Sequence, residues 1–163
     1  MRALVGASDA CHIPAKGGLM AGELRAKDIM TSGAQCVGAH QSLHDAAKMM
    51  RDLGVGALPI CGDNNRLTGL VTDRDIVITC CAEGVDPAEV QAGSLGGELH
   101  WIDSDADASE VLETMENNHI KRLPVIDVKG GHRLVGMITE ANVAKNLSDE
   151  QIAEFATRVY AEA

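Results

Sequence analysis

Aromatic residues are scarce in this sequence. Trp101, Phe155 and Tyr160 are its only aromatic residues among 163, or 2%. A hydrophobic core must therefore be built from aliphatic side chains and methionine. Because proteins that bind single-stranded nucleic acid stack the bases on aromatic rings, this composition argues against such a surface.

Positive charge is also in short supply. The chain has 14 lysines and arginines against 24 aspartates and glutamates, a formal net charge of -10. A polyphosphate backbone is repelled on average, because affinity for nucleic acid comes largely from lysine and arginine. DNA and RNA are therefore not expected partners, although a local basic pocket for one small anion is compatible with this charge.

Long apolar runs and C-x-x-C pairs are missing as well. No stretch approaches the roughly 18 apolar residues of a membrane span, and the opening residues lack the apolar run of a signal peptide. Met1 and Met20 are both candidates for the native start. The five cysteines form no C-x-x-C pair. We expect a cytoplasmic protein with mostly free thiols and no membrane partner.

The chain contains an internal duplication. Shifting the sequence by 65 residues places the segment 42–60 on the segment 107–125. Each copy has apolar residues spaced i, i+3, i+4, i+7, the pattern of an amphipathic helix. These positions are Leu43, Ala46, Ala47 and Met50 in the first copy, and Ala108, Val111, Leu112 and Met115 in the second. Two Leu-Pro strands also coincide.

Each copy predicts the element order β-α-β-β-α. The predicted strands are 35–37, 57–61 and 67–71 in the first copy, and 100–102, 122–126 and 134–138 in the second. Capping boxes are predicted at Ser42 with Asp45 and at Asp107 with Glu110. The second helix of each copy is predicted to begin at Thr72 or Thr139.

Four segments are predicted along the chain. Residues 1–23 are expected to form a poorly ordered arm, residues 24–83 the first domain and residues 84–147 the second. Residues 148–163 are expected to form a helix that begins at Ser148 and packs on the repeats or on a partner subunit.

These motifs resemble tandem CBS domains, a Bateman module. The resemblance covers about residues 24–147. It rests on the segment 28–30, on the Leu-Pro strands 58–60 and 123–125, and on the segments where the last strand of each copy ends and its second helix begins. Those endings are Gly69-Leu70-Val71-Thr72-Asp73-Arg74-Asp75-Ile76 and Gly136-Met137-Ile138-Thr139-Glu140-Ala141-Asn142-Val143. The residues of these motifs are most similar to those of the actinobacterial hypoxic response protein group. The resemblance implies an α/β (α+β) fold, with two repeats packed as a pseudo-two-fold module with two clefts, and a homodimer.

The resemblance also implies an adenosyl ligand such as AMP, ADP or ATP. Thr72 would meet a phosphate at a helix start, and Asp75 would accept hydrogen bonds from both ribose hydroxyls. Further predicted contacts are the apolar residues Ile29, Met30, Val37, Ala57, Leu58 and Pro59. Thr-x-x-Asp is itself a capping box, so a purely structural interpretation of both residues remains open.

The second copy departs from this pattern. Thr139 corresponds to Thr72, but Asn142 replaces the acid and offers one neutral acceptor oxygen. We therefore predict that Asp75 binds ribose more strongly than Asn142 does. Arg122, which precedes the second Leu-Pro strand, is a candidate phosphate contact that could reverse this order. Lys121 and Arg122 could equally be ordinary exposed charges.

Other chemistry is weakly indicated. His40 and His44 are spaced i, i+4 but straddle the Ser42 cap, and no third metal ligand stands out. No arrangement of a nucleophile and a base is recognisable, so we expect neither a metal site nor an enzyme. Two functions remain: an adenylate-sensing module, or a structural or stress-response dimer with a vestigial cleft and redox-responsive cysteines.

Cys36 and Cys61 are the expected partners of any intrachain disulfide. Cys36 ends the first strand and Cys61 the second strand of the same repeat, and these two strands are expected to be neighbours. A bridge is geometrically open if the two Cα atoms lie within roughly 7 Å of each other. Cys80 and Cys81, on the helix after the first strand ending, are expected to be packing residues instead.

Overall fold

The computed structural model describes residues 24–63, 66–95 and 99–161, so the predicted arm lies outside the described residues. The strands are β1 (Thr31–Ser32), β2 (Val37–Gly38), β3 (Ala57–Cys61), β4 (Leu67–Thr72), β5 (Ile102–Asp103), β6 (Arg122–Asp127) and β7 (Arg133–Thr139). The helices are α1 (Ala26–Ile29), α2 (Leu43–Leu53), α3 (Asp73–Ile76), α4 (Ala108–Asn117), α5 (Glu140–Asn146) and α6 (Asp149–Tyr160). A π-helical turn, Val77–Ala82, continues α3, and a 3₁₀ turn spans Ala92–Leu95.

The strands form two small sheets. One has the order β2-β3-β4 and the other the order β1-β7-β6-β5. In each repeat the first strand runs parallel to the second, and the third runs antiparallel to it. The predicted mixed α/β class and the twofold β-α-β-β-α order are confirmed. The first strand of each repeat is shifted by one or two residues from its predicted position.

Strand β1 joins the two repeats. It belongs to the first repeat in sequence but pairs antiparallel with β7 of the second, with Thr31 opposite Met137. Gly136 permits this close approach, because a Cβ there would lie 2.7 Å from the carbonyl oxygen of Thr31. Two residues of strand are too short for sequence periodicity to detect.

The helix caps show one difference from prediction. Ser42 and Asp45 form the predicted capping box, and Gly54 ends α2 in the left-handed conformation with φ 66°. The predicted box at Asp107 and Glu110 is wrong, because the Asp107 side chain makes no capping hydrogen bond. The N–H of Ala108 instead donates to the carbonyl of Leu24 at 2.8 Å. The N-terminal segment thus supplies an acceptor at the start of α4.

Each of the two hydrophobic cores includes residues from outside its own repeat. Residues from α1 and α6 enter the core of the second repeat, including Ala26, Ile29, Phe155 and Val159. Ala92, which follows the first repeat, enters the core of that repeat instead. Helix α6 therefore packs on the repeats of its own chain. Among the helices of the described ranges, none is long and apolar enough to cross a bilayer.

Candidate functional site

A cavity of about 550 Å³ lies between the two repeats. Its walls come from the loop after β1, the start of β3, the start of β6 and the junction of β7 with α5. The lining residues are Thr31, Ser32, Gly33, Ala34, Gln35, Leu53, Val55, Gly56, Ala57, Leu58, Pro59, Lys121, Arg122, Met137, Thr139, Glu140 and Ala141. This volume is within the range of small-molecule sites.

One wall of the cavity is apolar. Ala57, Leu58 and Pro59 open strand β3 and continue directly into the first core, which fixes their positions. Leu53 and Val55 flank them and are 41% and 44% exposed. A flat apolar group such as a purine ring could be desolvated against such a wall.

Two basic side chains stand at the start of β6. Arg122 is half-buried, and within the described part of the chain no carboxylate lies within ion-pair distance of it. Its guanidinium lies against Gly56, where a Cβ would be 3.2 Å from Arg122 Nη2 and 3.0 Å from Asp73 Oδ2, so the Asp73 carboxylate lies nearby without forming an ion pair. Lys121 places its Nζ 3.6 Å from the centre of the Tyr160 ring. A half-buried, unpaired guanidinium is suited to an anionic ligand.

Thr139 and Asn142 form a capping box at the start of α5. The Thr139 N–H and hydroxyl donate to Asn142 Oδ1 at 2.9 and 2.8 Å. The Asn142 amide in turn donates to Thr31 Oγ1 at 3.1 Å. The oxygen considered for ribose is therefore already occupied by protein donors.

Thr72 and Asp75 form the equivalent box at the start of α3, outside the cavity. Asp75 Oδ2 accepts from the Thr72 N–H at 2.8 Å and from its hydroxyl at 2.7 Å. Among the described residues, Asp75 Oδ1 has no hydrogen-bond partner. The structural interpretation of the Thr-x-x-Asp motif is thus realised, while one carboxylate oxygen stays available to a further donor.

The predicted contacts separate into two groups. The cavity brings together Ala57, Leu58, Pro59, Arg122 and Thr139. The remaining apolar candidates lie elsewhere: Ile29 and Val37 are buried in the two cores, and Met30 packs against the second core and β7.

The loop after β1, Glu140 and Tyr160 were missed by sequence reasoning. The loop could have been inferred from its position directly after the 28–30 motif. Nothing local to Tyr160 indicates a place beside the cavity.

The cysteines and histidines lie apart from this cavity. Cys36 and Cys61 are joined by a disulfide, with their Cα atoms 5.7 Å apart. The His40 Nε2 lies 3.4 Å from an oxygen of the exposed Asp63. Within the described ranges, no three His, Cys, Asp or Glu side chains are grouped so that they could hold a metal ion.

Comparison with known proteins identifies the family. The model of the CBS domain matches residues 26–79 and 97–149, more than half of the chain. The chain belongs to the CBS-domain family. It is 47% identical over 131 residues to hypoxic response protein 1 of Mycobacterium tuberculosis, covering 80% of this chain and 90% of that protein.

Solved structures agree with this assignment. The crystal structure of hypoxic response protein I with two coordinated zinc ions has a TM-score of 0.70 at 47% identity, over 77% of this chain and 100% of that one. A conserved CBS-domain protein of unknown function from Thermoplasma acidophilum has a TM-score of 0.71 at 25% identity, over 83% and 75%. The predicted resemblance to tandem CBS domains and to the hypoxic response proteins is confirmed.

Proposed function

We propose that this CBS pair is a regulatory, non-catalytic module that binds an adenine nucleotide of the AMP, ADP or ATP type between its repeats. The observation that carries the proposal is the cavity of about 550 Å³, in which an unpaired Arg122 faces an apolar wall. Such a site is suited to a ligand that combines an anionic group with a flat apolar ring.

The lining residues indicate how the nucleotide would lie. The purine would pack against Ala57, Leu58 and Pro59, where contact with apolar side chains removes ring surface from water. The phosphate would meet Arg122 and Lys121, which supply charged donors. Thr31 and Ser32 also line the cavity, and their hydroxyls would be available to the ribose.

Calorimetric titration with AMP, ADP, ATP, NADH and S-adenosylmethionine tests the proposal. We expect micromolar binding of at least one adenine nucleotide, weakened tenfold to about a hundredfold by Arg122→Ala through loss of a charged hydrogen bond. Arg133→Ala, at the opposite end of β7, is the matched control and should leave the affinity unchanged. Absence of binding by all five ligands would contradict the proposal.

Asp75→Ala decides which cleft is used. The acceptor count in the sequence favours Asp75, whereas the described cavity favours Arg122. If Asp75→Ala abolishes binding and Arg122→Ala does not, the nucleotide occupies the cleft beside α3. Asn142→Ala should have a small effect in either case, since its oxygen is engaged within the protein.

A redox-responsive structural module is the second candidate function, and the Cys36–Cys61 pair favours it. This function requires no nucleotide. A protein that binds none of the five ligands but changes its stability on treatment with a dithiol would match this candidate.

Zinc titration belongs in the same experiment, because the related hypoxic response protein I was solved with two zinc ions. Glu140 supplies a carboxylate to the cavity lining, so zinc binding that survives Glu140→Gln would locate the metal away from the cavity.

A further inference from the structure

Tyr160 connects helix α6 to the cavity. Its ring lies under the Nζ of Lys121 at 3.6 Å, and its hydroxyl donates to Glu140 Oε1 at 2.5 Å. Lys121 and Glu140 both line the cavity. The helix itself is anchored, since Phe155 and Val159 are buried in the second core. Two cavity residues of opposite charge are therefore held by one side chain from α6.

The tyrosine also keeps these two charges apart. In the described structure Lys121 and Glu140 are not within ion-pair distance of each other, although both face the same cavity. A cation over an aromatic face keeps N–H groups for other acceptors, and a carboxylate that accepts a hydroxyl bond has its charge partly satisfied. Without the ring, the ammonium and the carboxylate would be free to pair with each other.

We propose that Tyr160 is a positioning residue for the cavity: it holds Lys121 available to an anionic ligand, so that docking of α6 and nucleotide binding strengthen each other. This inference rests on the proposed function and names a way in which that site is regulated. Because coupling between two equilibria is reciprocal, a bound nucleotide must also stabilise the docked last turn of α6.

Binding of AMP to three variants tests the positioning role. Tyr160→Leu retains apolar bulk but loses both polar contacts, and should weaken AMP about tenfold, as expected for one charged contact. In Tyr160→Leu/Glu140→Gln the competing carboxylate is gone, so the affinity should recover to within about threefold of wild type. Glu154→Gln, on α6 beside Arg158, is the matched control and should bind as wild type does.

The rescue separates positioning from a general structural role. Glu140→Gln alone also removes a charge that repels an anionic ligand, so it is measured in the wild-type background as well. If Tyr160→Leu merely loosened α6, Glu140→Gln would raise the affinity by the same factor in both backgrounds, and that result would overturn the inference. Tyr160→Phe provides a second variant should the leucine form fail to fold. It keeps the ring over Lys121 and releases Glu140, so an affinity between those of wild type and Tyr160→Leu is expected.

Amide hydrogen exchange of α6 tests the reciprocal effect. AMP should slow exchange in the last turn of α6 in wild type and have no such effect in Tyr160→Leu. Equal AMP affinity of wild type and Tyr160→Leu overturns the inference and leaves the proposed function intact. If wild type binds no AMP, the proposed function fails. In that case amide exchange of Lys121→Met is compared with that of wild type in the absence of nucleotide. Unchanged exchange in the last turn of α6 would overturn the link between Lys121 and Tyr160.

Discussion

The cysteines of the described residues differ in their surroundings in ways that set their reactivity. Cys36 and Cys61 are joined across the first two strands of the first sheet, Cys80 is buried and Cys81 is exposed. Burial raises the pKa of the Cys80 thiol, which lowers its thiolate fraction at neutral pH. These residue-scale differences predict an order of labelling.

Among these four cysteines, alkylation of the native, unreduced protein should modify Cys81 first and Cys80 slowly, and Cys36 and Cys61 only after reduction. Peptide mass mapping checks this order, with Cys81→Ser as the control for the fast site. The bridge spans 25 residues, so its loss should cost about 3.5 kcal/mol of unfolding free energy in the loop-entropy model. Free Cys36 and Cys61 thiols under mild oxidant would contradict the pairing.

Residue roles were predictable from the sequence where the local chain alone determines them. Thr72, Thr139 and Ser148 begin helices in capping boxes because the acceptor lies three residues along the same chain. The predicted capping box at Asp107 was wrong because the N–H of Ala108, at the start of that helix, donates to the carbonyl of Leu24. Leu24 is too distant in the sequence for a local pattern to reveal this bond. The loop after β1 and Glu140 were missed for the same reason, since the cavity combines the two repeats. The predicted ligand contacts themselves stay predictions.

At the scale of elements, a carboxylate connects helix α1 to the second repeat. Asp105, between β5 and α4, lies 2.8 Å from the Nζ of Lys27 on α1 and 2.8 Å from the Nζ of Lys129 after β6. Hydrogen bonds from Lys129 and then Lys27 hold the pKa of Asp105 well below its usual range. The ionised form is therefore favoured in the folded state.

This depressed pKa makes the contribution of Asp105 to stability dependent on pH. The unfolded chain binds a proton at about pH 3.9 and the folded chain only at lower pH, so the stabilisation is present above that value and lost as pH falls below it. Asp105→Asn should be less stable than wild type at neutral pH, and the difference should shrink below about pH 4. Denaturant unfolding measures both.

Asp52→Asn is the control for that experiment, because Asp52 is exposed and pairs with the adjacent Arg51 within α2. Its effect on the free energy of unfolding should be small, because an exposed ion pair contributes little to stability. A difference between Asp105→Asn and wild type that stays constant down to pH 2 would contradict the assignment of the depressed pKa.

Elements with strong periodicity or a Leu-Pro strand were placed close to their observed bounds, as β3 shows. The pairing of β1 with β7 was not predicted, because it depends on Gly136 and on the packing of one repeat against the other. The π-helical turn after α3 was not predicted either. Its apolar residues carry no sequence signal that distinguishes it from an ordinary helix.

At the scale of the whole molecule, a group of apolar side chains remains on the surface. Val77 and Ile78 in the π-helical turn are 55% and 48% exposed, and Val85 in the loop after it is 41% exposed. The apolar stripe of α6 does not add to this surface, since Phe155 and Val159 are buried within the same chain. We expect the homodimer, if it forms through apolar contacts, to use the surface of Val77, Ile78 and Val85, where the two most exposed of these side chains are neighbours in the chain.

Ile78→Asp tests this expectation. Sedimentation of wild type should give twice the 17.1 kDa of one chain, because grouped exposed apolar side chains favour association with a second copy. A charge introduced at Ile78 must be desolvated when two copies meet, so the variant should sediment as a monomer. Ala153→Asp, on the exposed side of α6, should leave the dimer unchanged. A monomeric wild type at micromolar concentration would refute the homodimer, and a dimeric Ile78→Asp would place the contact elsewhere.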